Sequence, residues 1–362
     1  MRHTFFAALA ASAALVCSCD NTSDLLSCET YEEAMKNCEL TVEFGVPETK
    51  VAAQTEANEK TIQNVQIFVF RAGSGADKGK LDVSASAGFD TPLAESSGKY
   101  SSLELRCSTG EREVWAVVND AKDHTKGSDA IANKEQFLAL TTELKDNTPT
   151  KLFMIGSQSA NLKEGKESLT VNVKRVCASV ILEKVTNDFI SPGYQKTGVF
   201  KVGDCYLLNV PGKINFGLTL DPSGLSPDDW YARMKAESAS PRKDLIYDAV
   251  TEKTVEYQAY DNTVHTFYAY PNNCGFSTDS NWSTRATVLV LETRIYDGKE
   301  WVKYYYPVAL KDGLKGNCQY KVSLTVKRPG SLDPNVPVTF DDVTPVVTVS
   351  DWESGATYTP EV

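Results

Sequence analysis

The chain has 362 residues, 41% of them hydrophobic, with 37 basic side chains against 48 acidic ones and a formal net charge of −11. That length suits two domains of ordinary size, each able to bury its own core, and the acidic balance argues against nucleic acid as a partner. Of the three histidines, His3 lies in the leader described next, and His124 and His265 are far apart in sequence. This starves the usual general-base and metal-ligand constellations.

Arg2 opens an N-terminal stretch in which Phe5 to Val16 is apolar and free of acid, and small residues lead into Cys17, Ser18 and Cys19. This is the pattern of an export signal, and so short a run does not span a bilayer as a helix. Residues 1–18 are therefore expected to be removed, which makes the remainder one charge more acidic. VCSC before Asp20 resembles a bacterial lipobox. Cys19, preceded by small Ser18, is the expected lipidation site in preference to Cys17, preceded by Val16, and would carry an acyl anchor such as palmitate. Residues 19–36 are polar and suit a tether. The remaining cysteines are Cys28, Cys38, Cys107, Cys177, Cys205, Cys274 and Cys318. None forms a CxxC pair; their odd number and wide spacing favour several being small apolar core residues.

Beyond the tether the pattern is that of strands. Leu40, Val42 and Phe44 alternate with Glu39, Thr41 and Glu43, giving a first strand with one apolar and one acidic face. GVPETKVAAQTEANEK follows without a convincing pattern, and Lys50 and Lys60 are its basic, protease-accessible points. VQIFVF at Val65–Phe70 is apolar on both faces and predicts a central strand. LDVSASA, SLEL and EVWAVVN predict further strands. A helix is predicted from a Ser128 or Asp129 cap, with Ile131, Phe137, Leu138 and Leu144 as its packing stripe, before strand resumes at LFMIG.

The phase of the alternation then breaks. Leu169, Val171 and Val173 share one face, whereas Val176, Ala178, Val180 and Leu182 continue on the other parity, with Lys174 and Arg175 between them. A one-residue slip reverses every later side chain, which places the domain junction here: residues 37–173 and 174–340. VFKVGDCYLLNV, HTFYAYP, ATVLVLETRIY, WVKYYYPVAL and the strand through Tyr320, Val322, Leu324 and Val326 make up the second half. Asp297 and Gly298 predict a type I′ hairpin. The fold class expected is all-β, two successive antiparallel β-sandwiches with a minor helix.

The terminal stretch, residues 341–362, contains VTPVVTVSDW. Val347 and Val349 point one way, Thr348 and Ser350 the other. Such a strand either joins a sheet of its own domain or is given to the sheet edge of another molecule; both readings stand at this point. No GxSxG, HExxH, P-loop or dinucleotide glycine pattern occurs. The acidic neighbours Asp228–Asp229 and Asp341–Asp342 are read as solvated loop acids rather than a glycosidase or calcium pair. Trp230 and Trp282 are weak hints of sugar stacking. No catalysis and no cofactor or metal are expected.

Several of these pieces, in this order, resemble the FimA-type fimbrillins, lipoprotein-derived pilus subunits of Bacteroides-like bacteria. They are the lipobox, VQIFVF followed by EREVWAVVNDAKD, LTTEL before LFMIG, VKRVCASVILEKV at the junction, YYYPVAL, CQYKVSLTVKRPGSLDPNVP and the closing VTVSDW. The resemblance spans nearly the whole chain. It implies two tandem transthyretin-like sandwiches, no enzyme activity, and an exported lipoprotein precursor bound for the outer membrane and the fimbrium. It also implies assembly by donor-strand exchange: a protease cuts the loop after the first strand, that strand leaves, and the C-terminal strand of a neighbour fills the groove. The leaving strand would carry Leu40, Val42 and Phe44; the donor strand, Val343, Val347, Val349 and Trp352. Family members are cut after an arginine, and residues 45–60 contain none, so Lys50 or Lys60 is the candidate maturation site. Partners implied are copies of this chain or other fimbrial subunits, with a host or bacterial surface ligand for adhesion and biofilm formation. The alternatives are a tip adhesin, an anchor subunit or a surface glycan-binding lipoprotein.

Overall fold

A computed structural model describes residues 36–45, 59, 61–91, 93, 101–233, 243–277, 279, 281–310, 313–336, 338, 342–352 and 357–358. The leader, Cys19, most of the tether, Lys50 and Lys60 lie outside the described residues.

The first half of the chain contributes β1 (Cys38–Gly45), β2 (Val65–Arg71), β3 (Leu81–Ala87), β4 (Ser101–Cys107), β5 (Gly110–Val118), β6 (Thr141–Glu143), β7 (Met154–Leu162), β8 (Gly165–Asn172) and β9 (Lys174–Arg175). They form a three-stranded sheet of order β4-β1-β8 facing a five-stranded sheet of order β3-β2-β5-β7-β9. Between the sheets lie Leu40, Val42 and Phe44 of β1, Val65, Ile67 and Val69 of β2, and Val114, Ala116 and Val118 of β5. The other face of the five-stranded sheet is also covered. Phe68 and Phe70 of β2 lie 4.9 and 5.4 Å from the Phe137 ring, which explains why VQIFVF is apolar at both parities.

Phe137 belongs to helix α1 (Lys134–Ala139). This helix is shorter than the sequence predicts. Its cap is Asn133, whose side chain accepts from Gln136 N, while Gly127–Asp129 and Leu144–Asp146 are separate 3₁₀ turns. The apolar stripe is therefore shared among the loop residue Ile131, helix α1 and the second 3₁₀ turn, which converge on one core, rather than belonging to one helix.

The second half comprises β10 (Ala178–Asn187), β11 (Phe200–Leu208), β12 (Val210–Pro211), β13 (Lys213–Asn215), β14 (Trp230–Tyr231), β15 (Tyr247–Asp248), β16 (Lys253–Thr254), β17 (Tyr260–Asp261), β18 (His265–Ala269), β19 (Val288–Tyr296), β20 (Trp301–Ala309), β21 (Cys318–Val326), β22 (Val343–Asp351) and β23 (Thr357–Tyr358), with the short helix α2 (Lys243–Ile246). One sheet runs β17-β10-β21-β22-β23, with β18 also on β10, and the other β15-β11-β19-β20, with β16 also on β11. Val180, Leu182, Val322 and Leu324 of the first share a core with Leu207, Leu289 and Leu291 of the second. The chain is thus all-β with sandwiched sheets, as expected. Most pairings are antiparallel; β1–β8 and β10–β21 are parallel, a feature alternation alone cannot reveal.

Gly156 shows how the chain passes from one half to the other. A Cβ there would stand 2.1 Å from the Asn172 carbonyl oxygen, so only glycine lets β8 cross β7 and continue as β9, paired to β7 through Met154–Arg175 and Ile155–Lys174. Val171 and Val173 face the first core, and Val176, Ala178 and Val180 the second. The halves are also joined by β13, which pairs with β6, and by Phe216, whose ring lies 5.4 Å from Phe137 and 5.1 Å from Phe153. The Asp297–Gly298 hairpin is wider than a two-residue turn. Tyr296 pairs with Trp301, leaving a four-residue loop in which the Asp297 carboxylate accepts from Lys299 N and Glu300 N.

His124, in the loop after β5, lies with Nε2 3.4 Å from Asp120 Oδ2 and its ring edge-on to Phe216 at 5.7 Å. Burial pulls its pKa down, but the hydrogen bond and charge of Asp120 outweigh burial and raise it above the usual histidine value. A pKa raised on folding contributes stability that is complete below the unfolded value and lost as pH rises through the folded one. Urea midpoints measured from about pH 6 to 8 are expected to fall with rising pH, and His124→Gln to flatten that slope.

Candidate functional site

The residues singled out for chemistry come to rest in structural settings. Asp229 pairs with Lys213 at 3.0 Å and exposed Asp228 approaches Arg233 at 3.9 Å; Asp341 lies outside the described residues. Trp230 is buried and meets Trp282 edge-to-face at 5.6 Å, inside a small core with Leu225 and Cys274. Its indole is therefore not offered to a sugar. His265 pairs with Asp248 at 2.8 Å, and no group of metal-binding side chains occurs among the described residues.

The arrangement with functional content is the three-stranded sheet. β1 is antiparallel to β4, with Cys38 opposite Cys107 and Val42 opposite Leu103, and parallel to β8, with Val42 beside Leu169 and Phe44 beside Val171. It is central in its sheet and yet first in the fold. Its inner side chains Leu40, Val42 and Phe44 are at most 1% exposed, while Glu39 and Glu43 face solvent. The outer face carries a surface pair, Glu39 with Arg106 at 3.3 Å, which contributes little. Each inner side chain is worth about 1.5–3 kcal/mol on burial. Three of them rival the net stability of an ordinary domain, about 5–15 kcal/mol. Without β1, the facing edges of β4 and β8 have no partner between them and the first core is open on one side.

β22 is held differently. It pairs along its length with β21, from Val326–Val343 to Cys318–Asp351, and on its other side, among the described residues, Val349 and Ser350 meet β23. Of the two readings left open by the sequence, this single chain shows the terminal strand in a sheet of its own half. Val347 and Val349 are only partly buried against the core, and Val346 is 52% exposed. The strand is pinned at its ends by Val343 and by Trp352, which is 1% exposed.

Trp352 sits in a polar knot that the sequence did not announce. Its ring stacks on Tyr268 at 6.1 Å and lies under the Arg175 guanidinium at 4.7 Å. Its Nε1 donates to Glu59 Oε2 at 3.1 Å, and the Tyr268 hydroxyl donates to Glu59 Oε1 at 2.6 Å. Arg175 Nε donates to the Glu59 carbonyl at 3.2 Å. Burial, and next the Glu59 charge, push the Tyr268 hydroxyl well above its ordinary pKa and keep it a donor. The residue just before Lys60 is thereby the acceptor that fastens the end of β22. A buried glutamate gives no periodic signal, so only the three-dimensional packing reveals this link.

Residues 38–196 match the family model of the major fimbrial subunit protein, FimA. This FimA-like stretch opens at the first residue of β1 and runs past β10, so it holds the whole slot around β1. Among solved structures, the chain is similar to a fimbrilin (FimA) of Porphyromonas gingivalis, with TM-score 0.58 and 16% identity, covering 88% of this chain and 98% of that one. It is similar also to a protein of Bacteroides eggerthii assigned to cell adhesion, with TM-score 0.61 and 18% identity over 90% and 98% of the chains. The tip fimbrial protein Mfa3 of Porphyromonas gingivalis, with a C-terminal truncation, gives TM-score 0.53 and 12% identity over 87% and 99%. At these identities the likeness is one of fold. A search of curated proteins finds no match. The FimA match over residues 38–196 supports a pilus-related subunit of the cell surface.

The side chains at the two strands differ enough to be separated by measurement. Phe44→Ala and Trp352→Ala are each expected to destabilise by about 3–5 kcal/mol, read from denaturant midpoints. Val346→Ala, on the outer face of β22, is expected to change stability by less than about 0.5 kcal/mol.

Proposed function

We propose that this protein is a structural subunit of a fimbria that assembles by replacing β1 with a strand from another subunit, in support of adhesion and biofilm formation. The observation that carries this reading is the placement of β1: central in its sheet, sealing a core, and joined onward only through residues 46–64. A single cut in that segment detaches it. The precursor, lipidated at Cys19 after removal of residues 1–18, would be held at the outer membrane by the tether until that cut. Residues 37–173 then form the accepting sandwich, 174–340 the second sandwich, and 341–362 the donated end.

Glu59 gives the two candidate cuts different consequences. A cut after Lys50 leaves Glu59 attached to the body, whereas a cut after Lys60 severs it and frees the acceptor that fastens Trp352. Cleavage at Lys60 would therefore open the slot and loosen the donor strand in one event.

Pro345 limits how the donor can enter. It has no N–H and suits a strand bonded on one side, as β22 is, or the end of one bonded on both. That leaves Val347 and Val349 for two of the three positions vacated by Leu40, Val42 and Phe44. Valines underfill space shaped for leucine and phenylalanine. Other fimbrial subunits with bulkier alternating side chains therefore fit the slot better than a copy of this chain does. The terminal strand's seat on β21 also favours a second reading, a tip subunit that accepts a strand and donates none.

Mild trypsin treatment of the unlipidated precursor under reducing conditions, followed by mass spectrometry and electron microscopy, is expected to show loss of β1 and growth of polymers with partner subunits. Deleting residues 343–362 is expected to leave cleavage intact and abolish donation. If a chain lacking both residues 20–45 and 343–362 assembles as well as the complete one, the reading fails. A peptide of residues 38–45 is expected to bind the cut protein at least about tenfold more tightly than a peptide of residues 343–352.

A further inference from the structure

The cysteines of the described residues are all buried, and two of them stand apart. Cys38 and Cys107 are directly opposite in the antiparallel register of β1 and β4, both are 0% exposed, and their thiols touch. Cys205 and Cys318 face Leu291 and Asp351 in their ladders. Opposed residues in an antiparallel pair have Cα atoms about 4.5–5.5 Å apart, within the span of about 4.4–6.8 Å that a disulfide bridges. Export, as the leader implies, delivers such a pair to a compartment where disulfides form.

We propose that Cys38 and Cys107 are a disulfide site in the exported protein, a staple that holds β1 to β4 until it is reduced. In the closing step two thiols lose two protons and two electrons and form one S–S bond. The acceptor is the exchangeable disulfide of a thiol oxidoreductase or small-molecule disulfide, which is cleaved to two thiols. Release is the same exchange run by a dithiol donor. The staple rests on the strand-exchange reading for its purpose, though not for its chemistry.

Its position is what gives it consequence. Cys38 opens β1 and Cys107 closes β4, so the bond spans the segment to be cut and ties the fragment that would leave, through Cys38, to the body that stays, through Cys107. A cut but oxidised subunit keeps its first strand; a cut and reduced one surrenders it. Burial raises both thiols, Cys107 to about 12, and the thiolate is the reactive species. The closed sandwich therefore neither makes nor breaks the bond readily. It forms while the strands are coming together and opens again where strand ends fray, which is where this pair sits. Proteolysis alone then does not commit a subunit to assembly, and a subunit left oxidised is barred from accepting a strand.

The full unlipidated precursor, exported to an oxidising compartment, is alkylated in denaturant without reductant and digested with trypsin. The peptide following Lys36, which bears Cys38, is expected to be linked to the peptide following Arg106, which bears Cys107. Alkylation of both thiols, or linkage of either to Cys28, overturns the proposal. After limited cleavage of the native protein, the β1 fragment is expected to stay with the body on a denaturing gel without reductant. It should be lost completely with dithiothreitol and in the Cys38→Ser/Cys107→Ser variant. Separation without reductant also overturns the staple. Retention of the fragment by the native, cut double variant would instead count against strand release, leaving the disulfide finding intact.

Discussion

The first half of the molecule depends on β1 lying between two strands that do not otherwise meet. Every hydrogen bond that joins β4 to β8 passes through its backbone, and the side chains on its inner face close a core whose opposite wall is the five-stranded sheet. A central strand that is also first in sequence is an unusual assignment of responsibility. Loss of this first described strand leaves two backbone edges unsatisfied and a core exposed. Such a vacancy is costly in water, and on the proposed reading it is relieved by taking in another strand.

The two ends of the fold are unequal. β1 is bonded on both sides and its inner side chains are at most 1% exposed, whereas β22 has one full ladder and a half-exposed middle, with its hold concentrated at Val343 and Trp352. The knot of Glu59, Tyr268, Arg175 and Trp352 joins the far end of β22 to the segment that follows β1. Glu59 and Trp352, remote in sequence, are thus in contact through one buried carboxylate.

Much of this was legible in the sequence. The period-two alternation of Leu40, Val42 and Phe44 located β1 and its inner face, and the double-sided apolarity of VQIFVF identified a strand covered on both sides. The break in parity near Lys174 marks where the chain turns from the first core to the second. What was hidden has a common cause: it depends on partners distant in sequence. Parallel pairing of β1 with β8 leaves no trace in alternation. The helix stripe of Ile131, Phe137 and Leu144 mimicked one long helix because a loop residue, a short helix and a 3₁₀ turn converge on one core. The role of Glu59 and the opposition of Cys38 to Cys107 require the register of strands many residues apart.

The mixed bonding of β1 has a consequence for any object built from such units. One flank of its slot expects an antiparallel guest and the other a parallel one, and the spaces for leucine, valine and phenylalanine come in a fixed order. A strand entering backwards would exchange the two kinds of ladder and meet those spaces in reverse. The slot therefore has a heading, like an arrow. Were units joined through it, as proposed, they would all face the same way, and the fibre would have two chemically unlike extremities, one presenting an empty groove and the other an unspent tail.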